Sequence, residues 1–226
     1  MERIKPFLEK VENWNDAIMN AYNSQTNLSA NGYTKYDGVT FTWEKGYGRA
    51  YKYHAYGCSA AMVEVDLLTG DHQILKSEIL LDVGKSLNEA LDIGQIEGGF
   101  MQGIGWLTTE DVLRGDKESN KWIQPGYVRT NGPGFYKIPT AGDLPHSFGI
   151  EFLENGRNPG NIYSSKACSE SPVCLATSVG MAIIDALRPS QNGNNELNNN
   201  NSNFESCMFK FPMSAPRIRD LANTKL

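Results

Sequence analysis

Cysteine and histidine are scarce in this chain of 226 residues, which contains four cysteines and three histidines. The cysteines form no Cys-x-x-Cys pair, and only Cys168 and Cys174 lie close together in the sequence. Zinc and iron–sulfur sites within one chain use closely spaced cysteines and histidines. The sequence therefore argues against such a site within this chain, and free thiols in a reducing compartment are the simplest interpretation.

Long apolar runs and a surplus of basic residues are also missing. No apolar run approaches the length of a membrane span, and the charged first ten residues lack the apolar centre of a signal peptide. The formal net charge of -5 leaves no excess of lysine and arginine to meet phosphates. We therefore expect neither a membrane nor a nucleic acid as partner. Hydrophobic content of 40% and charged content of 21% are typical of a globular domain with a real core.

Alternation of apolar and polar residues predicts two strand regions. The run from Cys58 to Val83 alternates on both sides of Thr69-Gly70-Asp71, which predicts a β-hairpin with one buried face. A second alternating run, Phe148–Leu153, predicts a further strand.

Apolar residues at steps of three and four predict helices over residues 1–22, 88–111 and 172–188, and a short helix opened by Pro216-Arg217-Ile218-Arg219. Strands and helices of this kind predict an α+β fold. We expect the hairpin to pack on the helices of 88–110 and 172–188.

A carboxylate, Glu170, precedes the predicted helix of 172–188. Ser171 is the expected N-cap and Pro172 the expected first helical residue. The positive end of the helix dipole favours an ionised carboxylate, as a proton acceptor requires. From the local pattern alone the simpler interpretation, in which Glu170 only caps the helix, is favoured, because most acidic residues near helix starts are caps.

The predicted helix of 88–111 is unusually rich in glycine. Each glycine costs about 1 kcal/mol relative to alanine in a helix, so an external group that approaches the backbone closely would explain them. Gln95 and Gln102 are seven residues apart and could offer amides to a polar ligand from nearly the same face. Tight helix–helix packing at Gly99 and Gly103 explains the pattern as well. The glycines in question are Gly94, Gly98, Gly99, Gly103 and Gly105.

Residues 191–203 contain eight asparagines in thirteen positions. So little apolar surface predicts a disordered insertion. We expect residues 1–190 to form one domain, and residues 204–226 to be the C-terminal tail of that domain.

Ordered motifs along nearly the whole chain outside the asparagine tract resemble one enzyme family. The chain is similar to the C-terminal part of the molybdopterin-binding region of the molybdenum hydroxylases, the xanthine dehydrogenase and aldehyde oxidase family, and resembles xanthine dehydrogenase most. The motifs are Ile4-Lys5-Pro6-Phe7, Tyr56-Gly57, Glu64-Val65-Asp66, Leu68-Thr69-Gly70-Asp71, Asp82-Val83-Gly84, Asn88, Asp92-Ile93-Gly94-Gln95-Ile96-Glu97-Gly98, Gln102-Gly103-Ile104-Gly105, Tyr136-Lys137-Ile138-Pro139, Ser165-Lys166-Ala167 and Pro216-Arg217-Ile218-Arg219.

The resemblance implies an oxidoreductase that hydroxylates purines such as hypoxanthine and xanthine, with water as the oxygen source and molybdopterin as the cofactor. It implies that electrons leave through iron–sulfur clusters to FAD in upstream parts of the enzyme. By motif, Glu170 matches the family's proton-accepting glutamate. Gln95, with Gly94 and Gly98, matches the segment that lies against the cofactor. No residue of the chain is implied as a metal ligand.

Two departures from the family pattern keep other interpretations open. The family's Gly-Glu-Pro-Pro is Ser169-Glu170-Ser171-Pro172 here, and Ser169 replaces a glycine whose backbone freedom would help to place the carboxylate. The chain also matches only the C-terminal part of the family enzyme. We therefore expect the chain alone to be inactive and to act with the remainder of the enzyme or a homodimer partner. The alternatives are a truncated, non-catalytic remnant or binding module, and an aldehyde oxidase-like portion.

The resemblance implies a cytoplasmic location, because the family is mainly cytosolic. The chain ends in Thr224-Lys225-Leu226, one residue away from the Ser-Lys-Leu peroxisomal address, so a peroxisomal location is the alternative.

Overall fold

The computed structural model describes residues 2–33, 38–192 and 210–223. The chain divides into two compact units, Met1–Lys52 and Tyr53–Leu226. The asparagine-rich insertion lies outside the described residues from position 193 onward, and so does the terminal Thr224-Lys225-Leu226. Residues 191 and 192, which the sequence predicts to be part of the insertion, form the end of a helix.

The first unit contains two helices, α1 (Lys5–Leu8) and α2 (Trp14–Asn23). The prediction of one continuous helix over residues 1–22 is therefore wrong. α1 ends at Leu8, and α2 starts separately at Asn13, whose backbone is extended, with φ -102° and ψ 131°, and whose side-chain oxygen accepts a hydrogen bond of 2.9 Å from the Asn15 N–H. An asparagine in this geometry is an N-cap and starts a new helix.

The second unit is built on a three-stranded sheet in the order β1-β2-β3. The strands β1 (Gly57–Val65) and β2 (His72–Leu81) are antiparallel, and β3 (Ser147–Phe152) pairs with β2 in parallel. The predicted hairpin and the predicted third strand are both confirmed. Gly70 closes the hairpin turn with φ +82°, a conformation that glycine adopts without strain.

In the part of the second unit that the structure describes, four α-helices accompany the sheet, and the α+β fold is confirmed. They are α3 (Glu89–Leu107), α4 (Ser171–Leu175), α5 (Thr177–Asn192) and α6 (Ala215–Asn223). The core combines the buried face of the hairpin with apolar residues of all the larger helices. It includes Ile79, Leu81, Ile96, Phe100, Ile104, Val179, Ile183, Leu187, Met213 and Ile218.

The predicted single helix of 172–188 is two helices, which meet at Ala176. At this junction, backbone carbonyl oxygens accept hydrogen bonds from side-chain hydroxyls. The Thr177 hydroxyl donates to the Cys174 carbonyl oxygen at 2.7 Å, and the Ser59 hydroxyl of β1 donates to the Leu175 carbonyl oxygen at 2.6 Å. The helix start also differs from the prediction, because Glu170 occupies the N-cap position and Ser171 is the first helical residue.

The segment Ser171–Arg188 has the length and composition of a membrane-crossing helix, with a mean hydropathy of 1.2 over 18 residues. This corrects the expectation that no apolar run approaches that length. Within the second unit, 39% of the segment is buried, and its Val179, Ile183 and Leu187 belong to the core.

Three buried side-chain hydroxyls have no hydrogen-bond partner among the described residues, and the one at Ser77 belongs to a fully buried residue. Ser77 of β2 is fully buried, and its side-chain oxygen is unpaired. A buried unpaired hydroxyl costs about 1–3 kcal/mol, so we expect Ser77→Ala to raise the free energy of unfolding by about 1 kcal/mol in urea denaturation of the chain. Ser59→Ala is the matched control. It removes the bond to the Leu175 carbonyl and should lower the stability by about 1 kcal/mol. A loss of stability in Ser77→Ala would contradict the assignment.

Candidate functional site

One face of α3 carries the predicted cofactor-binding residues. Gly94, Gln95 and Gly98 are all exposed. Because a helix turns by about 100° per residue, they share a stripe with the exposed Gln102 and with Trp106, whose exposed fraction is 59%. A Cβ added at Gly94 or Gly98 would have no described atom within 4 Å outside its immediate helical neighbourhood. The described part of the second unit therefore leaves Gly94 and Gly98 on this stripe open.

The other glycines of α3 serve close packing. A Cβ at Gly99 would overlap with the Ser169 carbonyl oxygen, and one at Gly103 would lie 2.5 Å from the Val173 carbonyl oxygen. Both neighbours lie in or just before α4, so these glycines let α3 and α4 approach each other. The two explanations left open by the sequence thus apply to different glycines of α3. Packing explains Gly99 and Gly103, whereas no contact with the described residues of the second unit explains Gly94 and Gly98.

Glu170 stands at the N-cap of α4 with a helical backbone, φ -85° and ψ -33°, and makes no side-chain capping bond. It is exposed, and no hydrogen bond or ion pair of its carboxylate occurs within the described residues. The preceding residue, Ser169, places its carbonyl oxygen against Gly99 of α3. The structure therefore starts α4 beside the helix that carries Gln95, and leaves the carboxylate oxygens of Glu170 available.

Serine at position 169 fits the observed backbone. The described non-glycine residues with positive φ are Gln25, Asn155, Tyr163 and Ser164, and Ser169 is not among them. The glycine that the family pattern would place here is therefore not required by the backbone conformation of this chain.

Cys168 is a buried structural thiol. Its exposed fraction is 8%, and its Sγ lies 3.6 Å from Oδ1 of Asp92, whose Oδ2 accepts a bond of 2.6 Å from the Ser86 hydroxyl. Burial, followed by the charge of Asp92, raises the pKa of the Cys168 thiol to about 11. The thiol is therefore neutral at physiological pH. Within the described residues, no group of three or more histidine, cysteine, aspartate or glutamate side chains could hold a metal ion.

A buried ion pair involves Lys166, four residues before Glu170 in the sequence, and was not recognised from the sequence. Lys166 Nζ pairs with Asp82, and their side-chain exposed fractions are 7% and 5%. The same Nζ donates to the His54 carbonyl oxygen at 2.9 Å. The sequence contains one signal for the acidic member of the pair. Asp82 stands between Leu81 and Val83 at the end of a predicted buried strand, where an acidic residue needs a partner.

Comparisons with known proteins agree with this architecture. A family model described as "Molybdopterin cofactor-binding domain" matches residues 2–145. Xanthine dehydrogenase 2 of Arabidopsis thaliana is 45% identical over 167 residues, which are 74% of this chain and 12% of that protein. Aldehyde oxidase 1 of Bos taurus is 40% identical over 190 residues, which are 83% of this chain and 14% of that protein.

A solved structure shows the same fold. Quinoline 2-oxidoreductase from Pseudomonas putida 86 superposes with a TM-score of 0.58 and 25% identity, over 74% of this chain and 18% of that chain. This chain therefore spans a small fraction of the length of the proteins that it matches. The family resemblance seen in the sequence is confirmed, and the chain belongs to the molybdopterin cofactor-binding domain family of the molybdenum hydroxylases, within the xanthine dehydrogenase and aldehyde oxidase group.

Proposed function

We propose that this chain is the C-terminal molybdopterin-binding portion of a xanthine dehydrogenase-like oxidoreductase, and that the open stripe of α3 lies against the cofactor. The observation that carries the proposal is the pair of open glycines. Gly94 and Gly98 are exposed in the interior of a 19-residue helix and have free space around them among the described residues of the second unit. Each costs the helix about 1 kcal/mol relative to alanine, and an external group that approaches the backbone explains both.

The residues on the stripe fit a polar heterocyclic cofactor. The Gln95 amide offers two N–H donors and a carbonyl acceptor, and the absence of side chains at Gly94 and Gly98 allows a planar group to approach the helix. When bound, the molybdenum cofactor supplies the oxidation of the substrate carbon, with water as the oxygen source. We place the iron–sulfur clusters and FAD of the complete enzyme outside residues 1–226.

Glu170 acts as the proton acceptor in this proposal. Its carboxylate is exposed, and within the described residues it is engaged in no hydrogen bond or ion pair. A carboxylate oxygen in this state can take a proton from the water that is consumed in the reaction. Its place at the start of α4, which packs against α3, gives the base a rigid support beside the cofactor face.

We propose a purine such as hypoxanthine or xanthine as the substrate, since a xanthine dehydrogenase is 45% identical to the chain. An aldehyde is the second candidate, because an aldehyde oxidase is 40% identical over a similar length. The partners of the chain in this proposal are the remainder of the enzyme and a second copy of it.

Gly98→Ala tests the cofactor face, because it should act in opposite directions on stability and on cofactor binding. In the chain alone we expect the free energy of unfolding to rise by about 0.5–1 kcal/mol, since alanine fits the open space and favours the helix. In a chimera in which this chain replaces the matching segment of a xanthine dehydrogenase, we expect the content of molybdenum and pterin to fall. Urea denaturation and metal analysis measure the two effects.

Glu97→Ala is the matched control. Glu97 is also exposed on α3 but lies about 100° around the helix from Gly98, so cofactor content should not change. Full cofactor content in Gly98→Ala would show that the open stripe is not the cofactor face. A remnant that binds nothing would give a chimera without cofactor even with the unmodified chain.

A further inference from the structure

The segment 164–169, which leads to Glu170, is fastened to the rest of the second unit by a separate contact at almost every residue. The Ser164 carbonyl accepts from the Lys85 N–H at 2.9 Å, and the Lys166 N–H donates to the Val83 carbonyl at 2.9 Å. The Ala167 N–H donates to the Tyr53 hydroxyl at 3.0 Å. These bonds tie the segment to the chain that follows β2 and to the residue that opens the second unit.

Further contacts hold the segment in place up to the residue before Glu170. The Ser165 carbonyl accepts from the side-chain amides of Asn158 and Asn161 at 2.9 and 3.1 Å. The Cys168 thiol lies 3.6 Å from Asp92, and the Ser169 carbonyl oxygen lies against Gly99. Glu170 itself has no such side-chain contact within the described residues, and its backbone carbonyl accepts from the Val173 N–H of α4 at 3.2 Å. Its position is therefore set by the segment before it together with α4.

Backbone conformation indicates that the segment is held in place against a local preference. Tyr163 and Ser164 both have positive φ, 49° and 62°. Two consecutive non-glycine residues in this region are unfavourable, and such conformations persist only where the surroundings over-determine them. The contacts of Ser164 and Ser165 described above provide that constraint.

The ion pair of Lys166 and Asp82 is the central contact that anchors segment 164–169. Both side chains are almost completely buried, and each charge has a second partner. Lys166 Nζ donates to the His54 carbonyl oxygen at 2.9 Å, and Asp82 Oδ1 accepts from the Gly84 N–H at 2.9 Å. A buried ion pair is a weak source of net stability, because apolar side chains of similar size would often serve equally well. The directional hydrogen bonds of the pair, however, fix the position and the orientation of segment 164–169.

We propose that Lys166, with Asp82 as its counter-ion, is a positioning residue that fixes the Glu170 carboxylate beside α3. The inference rests on the proposed function for the role of Glu170 as proton acceptor. Lys166 takes no part in the chemistry. It holds the backbone four residues before the base, and Asp82 connects that point to the end of β2.

Hydrogen exchange of the 226-residue chain tests the anchoring without cofactor or turnover. Lys166→Met leaves a buried unpaired carboxylate, whereas Asp82→Asn combined with Lys166→Met removes both charges. We expect the amides of 164–167 to exchange at least tenfold faster in both variants. In the double variant we expect the hairpin amides to keep wild-type rates and the melting temperature to recover relative to Lys166→Met.

Three outcomes of the exchange experiment would overturn the proposal. They are unchanged exchange of 164–167 in Lys166→Met, recovery of both melting temperature and protection in the double variant, and loss of protection throughout the second unit in the double variant. Recovery of both would show that the segment stays in place without the two charges. Loss of protection throughout would show that the pair supports the whole second unit and not this segment in particular. Lys76→Met is the control. Lys76 also belongs to an ion pair, with Glu78 on β2 at 2.9 Å, but the two side chains are 49% and 47% exposed. Its exchange pattern should match that of the wild type.

Turnover in the chimera then connects the anchor to the base. The double variant should lower kcat at least tenfold with unchanged KM and cofactor content, and should cause no further loss in a Glu170→Gln background. An equal loss in both backgrounds would overturn the proposal, because Lys166 would then act independently of Glu170. If Glu170→Gln itself kept full activity, the proposed role of Glu170 as proton acceptor would fail, while the exchange rates would still decide whether Lys166 anchors the segment.

Discussion

Replacing Glu170 by glutamine in an enzyme that contains this domain should lower kcat by about 10²–10⁴-fold, the contribution of a general base. Glutamine has nearly the same size as glutamate but lacks the basic oxygen. The change should not disturb the fold, because Glu170 is exposed and its carboxylate makes no hydrogen bond or ion pair within the described residues. Cofactor content should therefore remain at the wild-type level.

The chimera with a xanthine dehydrogenase provides the measurement, with steady-state turnover of xanthine and of an aldehyde as the two assays. Glu151→Gln is the control, since Glu151 is an exposed glutamate of β3 and should leave kcat unchanged. Full activity of Glu170→Gln on both substrates would reduce Glu170 to a residue that only occupies the N-cap position. The ratio of the two turnover rates in the unmodified chimera would also distinguish a purine from an aldehyde as the preferred substrate.

The sheet of the second unit was predictable because its signal is local. In a half-buried hairpin, successive side chains point to opposite faces, so the alternation from Cys58 to Val83 records the buried face directly. The parallel pairing of β3 with β2 was not predicted. It joins Lys76 to Ser147 across a long stretch of chain that includes α3, and alternation along one strand carries no information on its neighbour.

Helix boundaries failed where a side chain outside the apolar pattern interrupts the helix. α1 ends at Leu8, and Asn13 accepts a bond from the Asn15 N–H and so starts α2 as a separate helix, although apolar residues continue on both sides. At Ala176 part of the cause lies on another element. The Ser59 hydroxyl, 116 residues away in the sequence, occupies the Leu175 carbonyl. Periodicity cannot show a break that depends on a distant donor.

The residues of the candidate site were predictable, but the different roles of its glycines and its ion pair were not. All five glycines of α3 look alike in sequence, yet Gly99 and Gly103 lie against the chain at Ser169 and Val173, whereas Gly98 lies against open space. Which glycine faces which surface depends on where α4 packs. The ion pair of Lys166 and Asp82 joins residues that are 84 positions apart, so only the tertiary structure could connect it with Glu170.

Gly99→Ala should therefore be damaging although its neighbour Gly98→Ala is stabilising. A Cβ at Gly99 would overlap with the Ser169 carbonyl oxygen, which is backbone and cannot rotate away. Either α3 or the segment before Glu170 must shift. Overpacking of this kind typically costs about 1–3 kcal/mol, and we expect a loss of that size in urea denaturation of the chain.

The same shift should reach the chemistry, because Glu170 directly follows Ser169. A displacement of about 1 Å at a catalytic group can lower a rate by about 10²-fold, so the chimera with Gly99→Ala should lose kcat even when assayed well below its melting temperature. Gly98→Ala separates the two effects, since it should raise stability and act on cofactor content instead. If both alanine variants were equally stable, α3 and α4 would not be packed through Gly99, and the support that this contact gives to Glu170 would have to come from the anchored segment 164–168 alone.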